Sequence, residues 1–223
     1  DRALTVAANA LRLFERRIAR CPYPQVSIVE VPLEGAAGME FSGLILVGSS
    51  FAAQPRDRFF TIIVAHEMAH QWFYGGVGNS ASEHPWLDEA FATFLSHEYL
   101  REYEGSGAAA AMRAEWGRTY PSVREWRPDL TFASPLYAFP DSPSYAACVY
   151  DGGAMFLHHL RETRGDSCFD QAVRTYYQTH LYGFTVPDDL LEALEHACNE
   201  SLDDLLQEWD VRLDGTCSIC RCM

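Results

Sequence analysis

The sequence predicts an α+β fold that is rich in helix, with a small β-sheet near the N-terminus and an array of helices after it. Residues 4–20 carry apolar side chains at helical spacing, which indicates a first amphipathic helix. The stretches 25–32 and 39–48 are β-branched or alternating and are predicted as strands on either side of the loop 34–37. From residue 57 onward, the apolar periodicity is helical.

The helical part is predicted in seven segments. They span about 57–74, 86–104, 108–119, 145–164, 166–182, 187–198 and 201–212. The last two have favourable starts, the segments 185–188 and 201–204, in which Thr185 and Ser201 are followed three residues later by an aspartate at the spacing of a capping box. Five prolines mark 121–144 as a long irregular stretch, and such a loop in a compact domain is usually functional or mobile.

The chain length of 223 residues suits one large domain or two small subdomains. We expect one domain over 1–212, with a sheet part at about 1–55 and a helical part at about 56–212. A cysteine-rich tail at 213–223 is expected to be disordered. Its Cys217, Cys220 and Cys222 could hold a second metal, but they lack a matching pair elsewhere.

The other cysteines are Cys21, Cys148, Cys168 and Cys198. We interpret them as small buried hydrophobic residues. The odd total of 7, without a framework spacing, favours a reducing compartment, so the cytoplasm is expected rather than secretion. No charged and then apolar leader precedes the domain, and the chain opens with Asp1, so we expect its natural start to lie elsewhere.

Composition excludes several classes of function. The net charge is −14, which argues against nucleic acid or an anionic membrane as a partner. All 17 basic residues are arginine, and the absence of lysine excludes Schiff-base chemistry and a P-loop lysine. No apolar run approaches the ~18 residues of a membrane helix.

One motif points to chemistry. The segment HEMAH places His66 and His70 four residues apart in the predicted helix 57–74, so their imidazoles share one face about 6 Å apart along the axis. Glu89 follows after 18 intervening residues. Two histidines and one carboxylate leave a fourth position open for water, which is the arrangement of a hydrolytic zinc site. Glu67, beside the ligands, is the candidate general base.

Four blocks together resemble the aminopeptidase N-like zinc metallopeptidases, the gluzincin family that includes leukotriene hydrolase. They are HEMAHQWF at 66–73, PWLDEAFATF at 85–94, GMEF at 38–41 and VYDGGA at 149–154. The last two are similar to the family patterns Gly-x-Met-Glu-Asn and Val-Tyr-Glu-Lys-Gly-Ala. The blocks stand in the family's order within residues 5–210. The resemblance implies a thermolysin-like catalytic domain with one Zn²⁺ per chain.

The resemblance also implies roles for further residues. Tyr150 matches the tyrosine that stabilises the oxyanion, with Tyr145 as a nearby competitor, and Glu40 matches the carboxylate that binds the substrate's α-ammonium. Gly38 and Met39 would supply backbone along the substrate. Phe41 replaces the usual asparagine, and Asp-Gly at 151–152 replaces Glu-Lys.

We therefore predict a zinc aminopeptidase that cleaves the N-terminal bond of peptides with a free amine, using water activated by Glu67. Family members carry flanking domains that this chain lacks, so one alternative is a metal-binding fragment that only binds peptides. A second alternative is an endopeptidase on the same metal site, which the match at Glu40 opposes.

Overall fold

The computed structural model describes residues 1–211, and the predicted tail with Cys217, Cys220 and Cys222 lies outside them. The described chain contains a small three-stranded sheet, a minor two-stranded sheet and a set of packed helices. Its strands are β1 Ser27–Val31, β2 Gly38–Phe41, β3 Leu44–Gly48, β4 Gly78–Asn79 and β5 Phe184–Thr185. Its helices are α1 Arg2–Arg17, α2 Ser49–Ala52, α3 Arg58–Ala69, α4 Trp86–Tyr103, α5 Ser106–Trp126, α6 Ser142–Tyr145, α7 Gly153–Arg164, α8 Asp166–His180, α9 Pro187–Cys198 and α10 Asp203–Glu208. The helix-rich α+β prediction is confirmed.

The three-stranded sheet corrects the prediction of a single strand over 39–48. The stretch forms the hairpin β2–β3, which turns at Ser42 and Gly43, where Gly43 has φ +73°. Strand β3 is central, pairing antiparallel with β2 and parallel with β1. The apolar residues of 44–47 follow the turn directly, so the stretch resembles one strand although Ser42 and Gly43 form a dipeptide that is typical of turns. The hairpin makes β2 an edge strand beside α3.

Helix α4 is the centre of the fold. It is buried on nearly every side, and it packs against α1, α3, α5 and α7. A helix that is buried on nearly every side has no single apolar face, unlike an amphipathic helix at the surface. Its position brings Glu89, in its first turn, against the C-terminal end of α3. The predicted bounds of 86–104 agree closely with Trp86–Tyr103.

Two predicted bounds after α4 are wrong. Helix α5 was expected over 108–119 and extends to Trp126, passing through Pro121. Tyr120 and Val123 on either side of that proline are buried in a small cluster with Cys148. This tertiary burial outweighs the cost of a proline within a helix. The irregular stretch predicted at 121–144 is accordingly shorter, and it contains a 3₁₀ turn at Leu136–Ala138 before α6.

The segment predicted as one helix over 145–164 contains two kinds of helix, which differ in their backbone hydrogen bonds. Ala146–Gly152 is a π-helix, and α7 continues from Gly153. Gly152 and Gly153 are required by close contacts, because a Cβ at Gly152 would lie 2.7 Å from the ring of Tyr120. At Gly153 it would lie 2.6 Å from Cβ of Ala90. The glycine that we identified as a departure from the family pattern at 152 therefore serves local packing.

A buried ion cluster and a disulfide tie the helices together. Glu98 on α4 pairs with Arg17 of α1 at 2.8 Å and with Arg161 of α7 at 2.8 Å. Cys168 and Cys198 form a disulfide between α8 and α9, which corrects the interpretation of both as unpaired hydrophobic residues. Their 30-residue separation gave no recognisable framework spacing, and a disulfide removes the basis for inferring a reducing compartment.

The last described helix, α10, spans Asp203–Glu208 and is shorter than the predicted 201–212. Within residues 1–211, no helix combines the length and apolar character needed to cross a bilayer.

Candidate metal centre and active site

Three side chains from α3 and α4 converge on one point. Nε2 of His66 lies 3.0 Å from Oε2 of Glu89 and 3.1 Å from Nε2 of His70. Nε2 of His70 lies 3.3 Å from the same Glu89 oxygen. Atoms that bind a tetrahedral zinc ion at ~2.0–2.1 Å are about 3.3 Å apart. The three separations therefore fit a single ion.

The hydrogen bonding of His70 also favours a cation at this point. Nδ1 of His70 lies 3.1 Å from the carbonyl oxygen of Phe73, which can only accept, so we assign the ring proton to Nδ1. Burial alone would lower the pKa of His70, but the hydrogen bond and the charge of Glu89 outweigh it and raise that pKa well above its usual value, and a bound cation would take the place of the proton on Nε2. Burial lowers the pKa of His66 and favours the neutral imidazole that binds metals. A cation would stabilise this cluster of acceptors.

Glu67 is buried beside the three converging side chains. It is 5% exposed, and its Oε2 has no hydrogen-bond partner among the described residues. Burial raises the pKa of its carboxyl to about 8, an effect that His70 opposes and Glu40 reinforces. Gly38 of β2 packs directly on this carboxylate, and a Cβ there would overlap it. A cation held by the neighbouring ligands would favour the ionised form of this carboxyl, and a buried carboxylate that faces a cleft is a candidate general base.

Tyr150 comes to the site from the π-helix. Its hydroxyl donates a hydrogen bond of 2.7 Å to Oε1 of Glu89, and its ring stacks on His66 with centroids 5.6 Å apart. Burial and the charge of Glu89 raise its pKa well above the usual range, so the phenol keeps its proton. Tyr145 lies edge-on to it at 5.7 Å and, among residues 1–211, forms no hydrogen bond with the three converging residues. Single π turns occur often at functional sites.

Edge strand β2 places Glu40 on the cleft side. Glu40, Glu67 and His70 each have a metal-ligating atom within 4.8 Å of the others. The side chains of Met39 and Phe41 alternate to the other face, and both are exposed. Gln71 fixes this end of the strand, because its Nε2 donates to the carbonyl oxygen of Phe41 at 3.1 Å and its Oε1 accepts from the backbone N–H of Gly43 at 2.8 Å.

One cleft of about 1000 Å³ is lined by the candidate site residues Gly38, Glu40, His66, Glu67, His70, Glu89 and Tyr150. Its remaining walls come from the loop before β2, the first turns of α3, the exposed side of α5, and the segment from the 3₁₀ turn to the π-helix. The lining side chains include Arg58, Phe59, Ile62, Ile63, Ala108, Ala111, Met112, Glu115, Trp116, Leu136, Phe139, Tyr145 and Asp151. The stretch predicted as irregular at 121–144 contributes to this lining between Leu136 and Ser142.

Sequence reasoning missed the residues that orient the candidate ligands. Oδ1 of the buried Asp88 accepts the backbone N–H of Glu89 at 2.9 Å and a hydrogen bond of 3.2 Å from Nδ2 of Asn79. The carbonyl of Phe73 does the same for His70. Such outer contacts fix ligand orientation at metal sites. Only the position of Asp88 directly before Glu89 could have suggested its role, whereas Asn79 gave no signal.

A family model supports the same assignment. The model described as "Peptidase family M1 domain" matches residues 2–209, almost the whole described chain. The chain belongs to peptidase family M1. The resemblance found in the four sequence blocks is thereby confirmed.

Curated relatives of this M1 chain are named aminopeptidases. Aminopeptidase M1-B of Oryza sativa subsp. japonica is 30% identical over 93% of the chain, which covers 25% of the relative. Aminopeptidase N of Lactococcus lactis subsp. lactis is 26% identical over 94% of the chain and 26% of the relative. The M1 chain thus spans about a quarter of the length of these relatives.

Solved structures share the fold. Yeast LTA4 hydrolase superposes with a TM-score of 0.74 at 21% identity, covering 91% of this M1 chain and 34% of that one. An M1 zinc metallopeptidase from Deinococcus radiodurans gives 0.68 at 23% identity, covering 93% and 44%. At these identities the likeness establishes the fold alone.

Proposed function

We propose that this chain is the catalytic part of a zinc-dependent aminopeptidase, which hydrolyses the N-terminal bond of peptides with a free amine. The observation that carries the proposal is the convergence of His66, His70 and Glu89 within 3.3 Å, with the unpaired carboxylate of Glu67 beside them. Two histidines and a glutamate with an open fourth position make up a hydrolytic rather than a structural donor set.

His66, His70 and Glu89 would hold one zinc ion. When bound, the ion supplies Lewis acidity and makes hydroxide accessible near neutral pH. Glu67 accepts the proton of the attacking water through its unpaired oxygen and later delivers it to the leaving amine. Proton transfer of this kind contributes ~10²–10⁴-fold. Burial in a cleft with apolar walls strengthens these electrostatic effects.

Tyr150 and Glu40 complete the proposed chemistry. The hydroxyl of Tyr150 lies beside the three proposed ligands, where it donates to Glu89, and from this side of the cleft it can donate to an oxyanion that develops next to them. Glu40 lies on the edge strand beside Glu67 and His70, where it can bind the α-ammonium of the substrate one residue from the scissile bond. This carboxylate favours the exopeptidase over the endopeptidase alternative. Gly38 leaves room for Glu67 and keeps this edge of the cleft open.

The alternative of a peptide-binding fragment is supported by one observation, the coverage of only about a quarter of the relatives' length. In that case, zinc binds and peptides bind, but turnover needs the parts of the relatives that this chain does not span.

The test combines zinc content by mass spectrometry with hydrolysis of aminoacyl-coumarin substrates on the same sample. We expect about one zinc per chain, turnover that chelators abolish, and no cleavage when the substrate amine is acetylated. Glu67→Gln should keep the zinc and lose turnover by at least ~10²-fold. The matched control is Glu125→Gln, an exposed glutamate of α5, which should change neither.

Each outcome separates the alternatives. Zinc without turnover supports the peptide-binding fragment. Cleavage that ignores acetylation supports an endopeptidase, and normal turnover in Glu67→Gln contradicts the mechanism.

A further inference from the structure

The π-helix directs two successive side chains toward the cleft. Tyr150 reaches Glu89, and Asp151 reaches the opposite wall, where its carboxylate accepts a hydrogen bond from the hydroxyl of Thr119 on α5. Both residues line the same cavity. Asp151 is therefore a part of the substrate cleft that the proposed chemistry does not use.

Asp151 lacks a cationic partner. Among residues 1–211, no arginine or histidine nitrogen lies within 4.0 Å of its carboxylate, although the side chain is half-buried. Burial raises its pKa to about 6, so the carboxyl is mostly ionised at neutral pH. A partly buried carboxylate without a counter-charge is unfavourable unless a ligand supplies one.

The other carboxylates at this end of the cleft already have partners. Glu115 pairs with Arg118, one turn along α5. Asp141 accepts hydrogen bonds from the backbone and the hydroxyl of Ser144 as the N-cap of α6. Asp151 is thus the carboxylate left available to a substrate in this part of the cleft.

Asp151 and Glu40 lie on different walls of the cleft. The carboxylate of Asp151 is held by Thr119 of α5, whereas Glu40 lies on β2 with its carboxylate beside Glu67 and His70. A peptide with its amine at Glu40 and its scissile carbonyl at the three converging ligands continues past Tyr150. The residues after the scissile bond would therefore pass Asp151.

We infer that Asp151 is a specificity-determining residue, which pairs with an arginine or lysine side chain located after the scissile bond of the peptide. The inference rests on the proposed function. The aliphatic stem of such a side chain would lie along Ala111, Met112 and Trp116, which line the cleft on α5. The net charge of −14 adds long-range attraction for cationic peptides.

The experiment uses peptides with an N-terminal leucine and, at the second or third position, arginine or its uncharged analogue citrulline. We measure kcat/KM for the zinc-loaded protein, Asp151→Asn and the control Asp204→Asn, which removes an exposed charge on α10. The unmodified protein should prefer arginine at one of the two positions by about tenfold. Asp151→Asn should lose that preference and cleave the citrulline peptide within about twofold of the original rate. Asp204→Asn should retain the preference.

Binding is measured in parallel by calorimetry with the zinc-loaded Glu67→Gln protein, with and without Asp151→Asn. If no peptide is cleaved but the arginine peptide binds more tightly through Asp151, the proposed function fails and the inference stands. An equal loss for both peptides, or an arginine preference that survives Asp151→Asn, overturns the inference. Cleavage and binding that never distinguish arginine from citrulline overturn it as well.

Discussion

The hydroxyl of Tyr150 donates a 2.7 Å hydrogen bond to Oε1 of Glu89, and the other oxygen of Glu89 faces His66 and His70. One carboxylate thus connects the candidate metal ligands with the candidate oxyanion donor. The two residues are 61 positions apart in sequence, and the contact depends on α4 lying against the π-helix. This relationship makes the position of the phenol sensitive to the packing between those elements.

Removing this hydroxyl tests the proposed role of Tyr150. In Tyr150→Phe, we expect kcat on a neutral aminoacyl-coumarin to fall by ~10²–10³-fold, because one preorganised donor to the oxyanion is lost. Zinc content should stay at one per chain, since no candidate ligand changes. Tyr145→Phe is the control, because its ring neighbours Tyr150 but its hydroxyl makes no contact with Glu89. A similar fall in both variants would contradict a specific role for Tyr150.

Tyr74 tests backbone strain next to the candidate centre. It has φ +107°, in a region that favours glycine, while its own N–H donates to Val77 and the preceding carbonyl accepts from His70. Strain of this kind costs roughly 1–3 kcal/mol. Tyr74→Gly should therefore leave the free energy of unfolding unchanged or raised.

The control for this strain is Tyr103→Gly at the end of α4, since the two tyrosines are 37% and 38% exposed. Glycine there should lower the free energy of unfolding by ~1 kcal/mol. Urea unfolding monitored by circular dichroism measures both variants. Equal destabilisation would show that Tyr74 is not strained.

The contact between Gly153 and Ala90 predicts a second change in stability. A methyl group at Gly153 would lie 2.6 Å from Cβ of Ala90, the residue after Glu89. Gly153→Ala should lower the free energy of unfolding by ~1–3 kcal/mol through overpacking, and it should weaken zinc binding by displacing the start of α4. Gly117→Ala in α5 has open space and should be stabilising by up to ~1 kcal/mol. Thermal unfolding with and without zinc distinguishes the two, and a neutral Gly153→Ala would contradict the packing.

Glu98 gives the stability of the fold a predictable pH dependence. Burial alone would raise its pKa, but His97, Arg17 and Arg161 outweigh this and hold the pKa well below its usual range. A depressed carboxyl pKa contributes stability that is complete above the unfolded-state value of ~4.3 and is lost as pH falls below it.

Neutralising Glu98 should remove that contribution. Glu98→Gln should lower the free energy of unfolding by up to ~3 kcal/mol at pH 7, since the buried Arg161 keeps Asp166 but loses its buried counter-charge, and the deficit should shrink toward pH 3. Urea unfolding at several pH values measures this. The control is Glu102, which forms an exposed ion pair with Arg16. Glu102→Gln should lower the free energy of unfolding by at most ~1 kcal/mol. A deficit in Glu98→Gln that is independent of pH would refute the electrostatic explanation.

The sequence by itself predicted the candidate site residues and most of the helices. His66 and His70 share a helix face because of the four-residue spacing, and Glu89 follows in a helix whose bounds agree within about one residue. These features depend on local periodicity, which a single sequence carries. The hairpin turn at Gly43 was missed because the apolar run 44–47 follows it directly and resembles a continuation of the strand.

Only the tertiary structure decided how these elements pack and which distant residues support the candidate site. The extension of α5 through Pro121, the disulfide between Cys168 and Cys198, and the support of Glu89 by Asn79 each depend on contacts between distant segments. The same holds for Asp151, which the sequence presented only as a departure from a family pattern. Its position in the cleft, without a cationic partner among residues 1–211, depends on the packing of α5 against the π-helix. Burial and pairing of charge are properties of the folded chain, and no local pattern determines them.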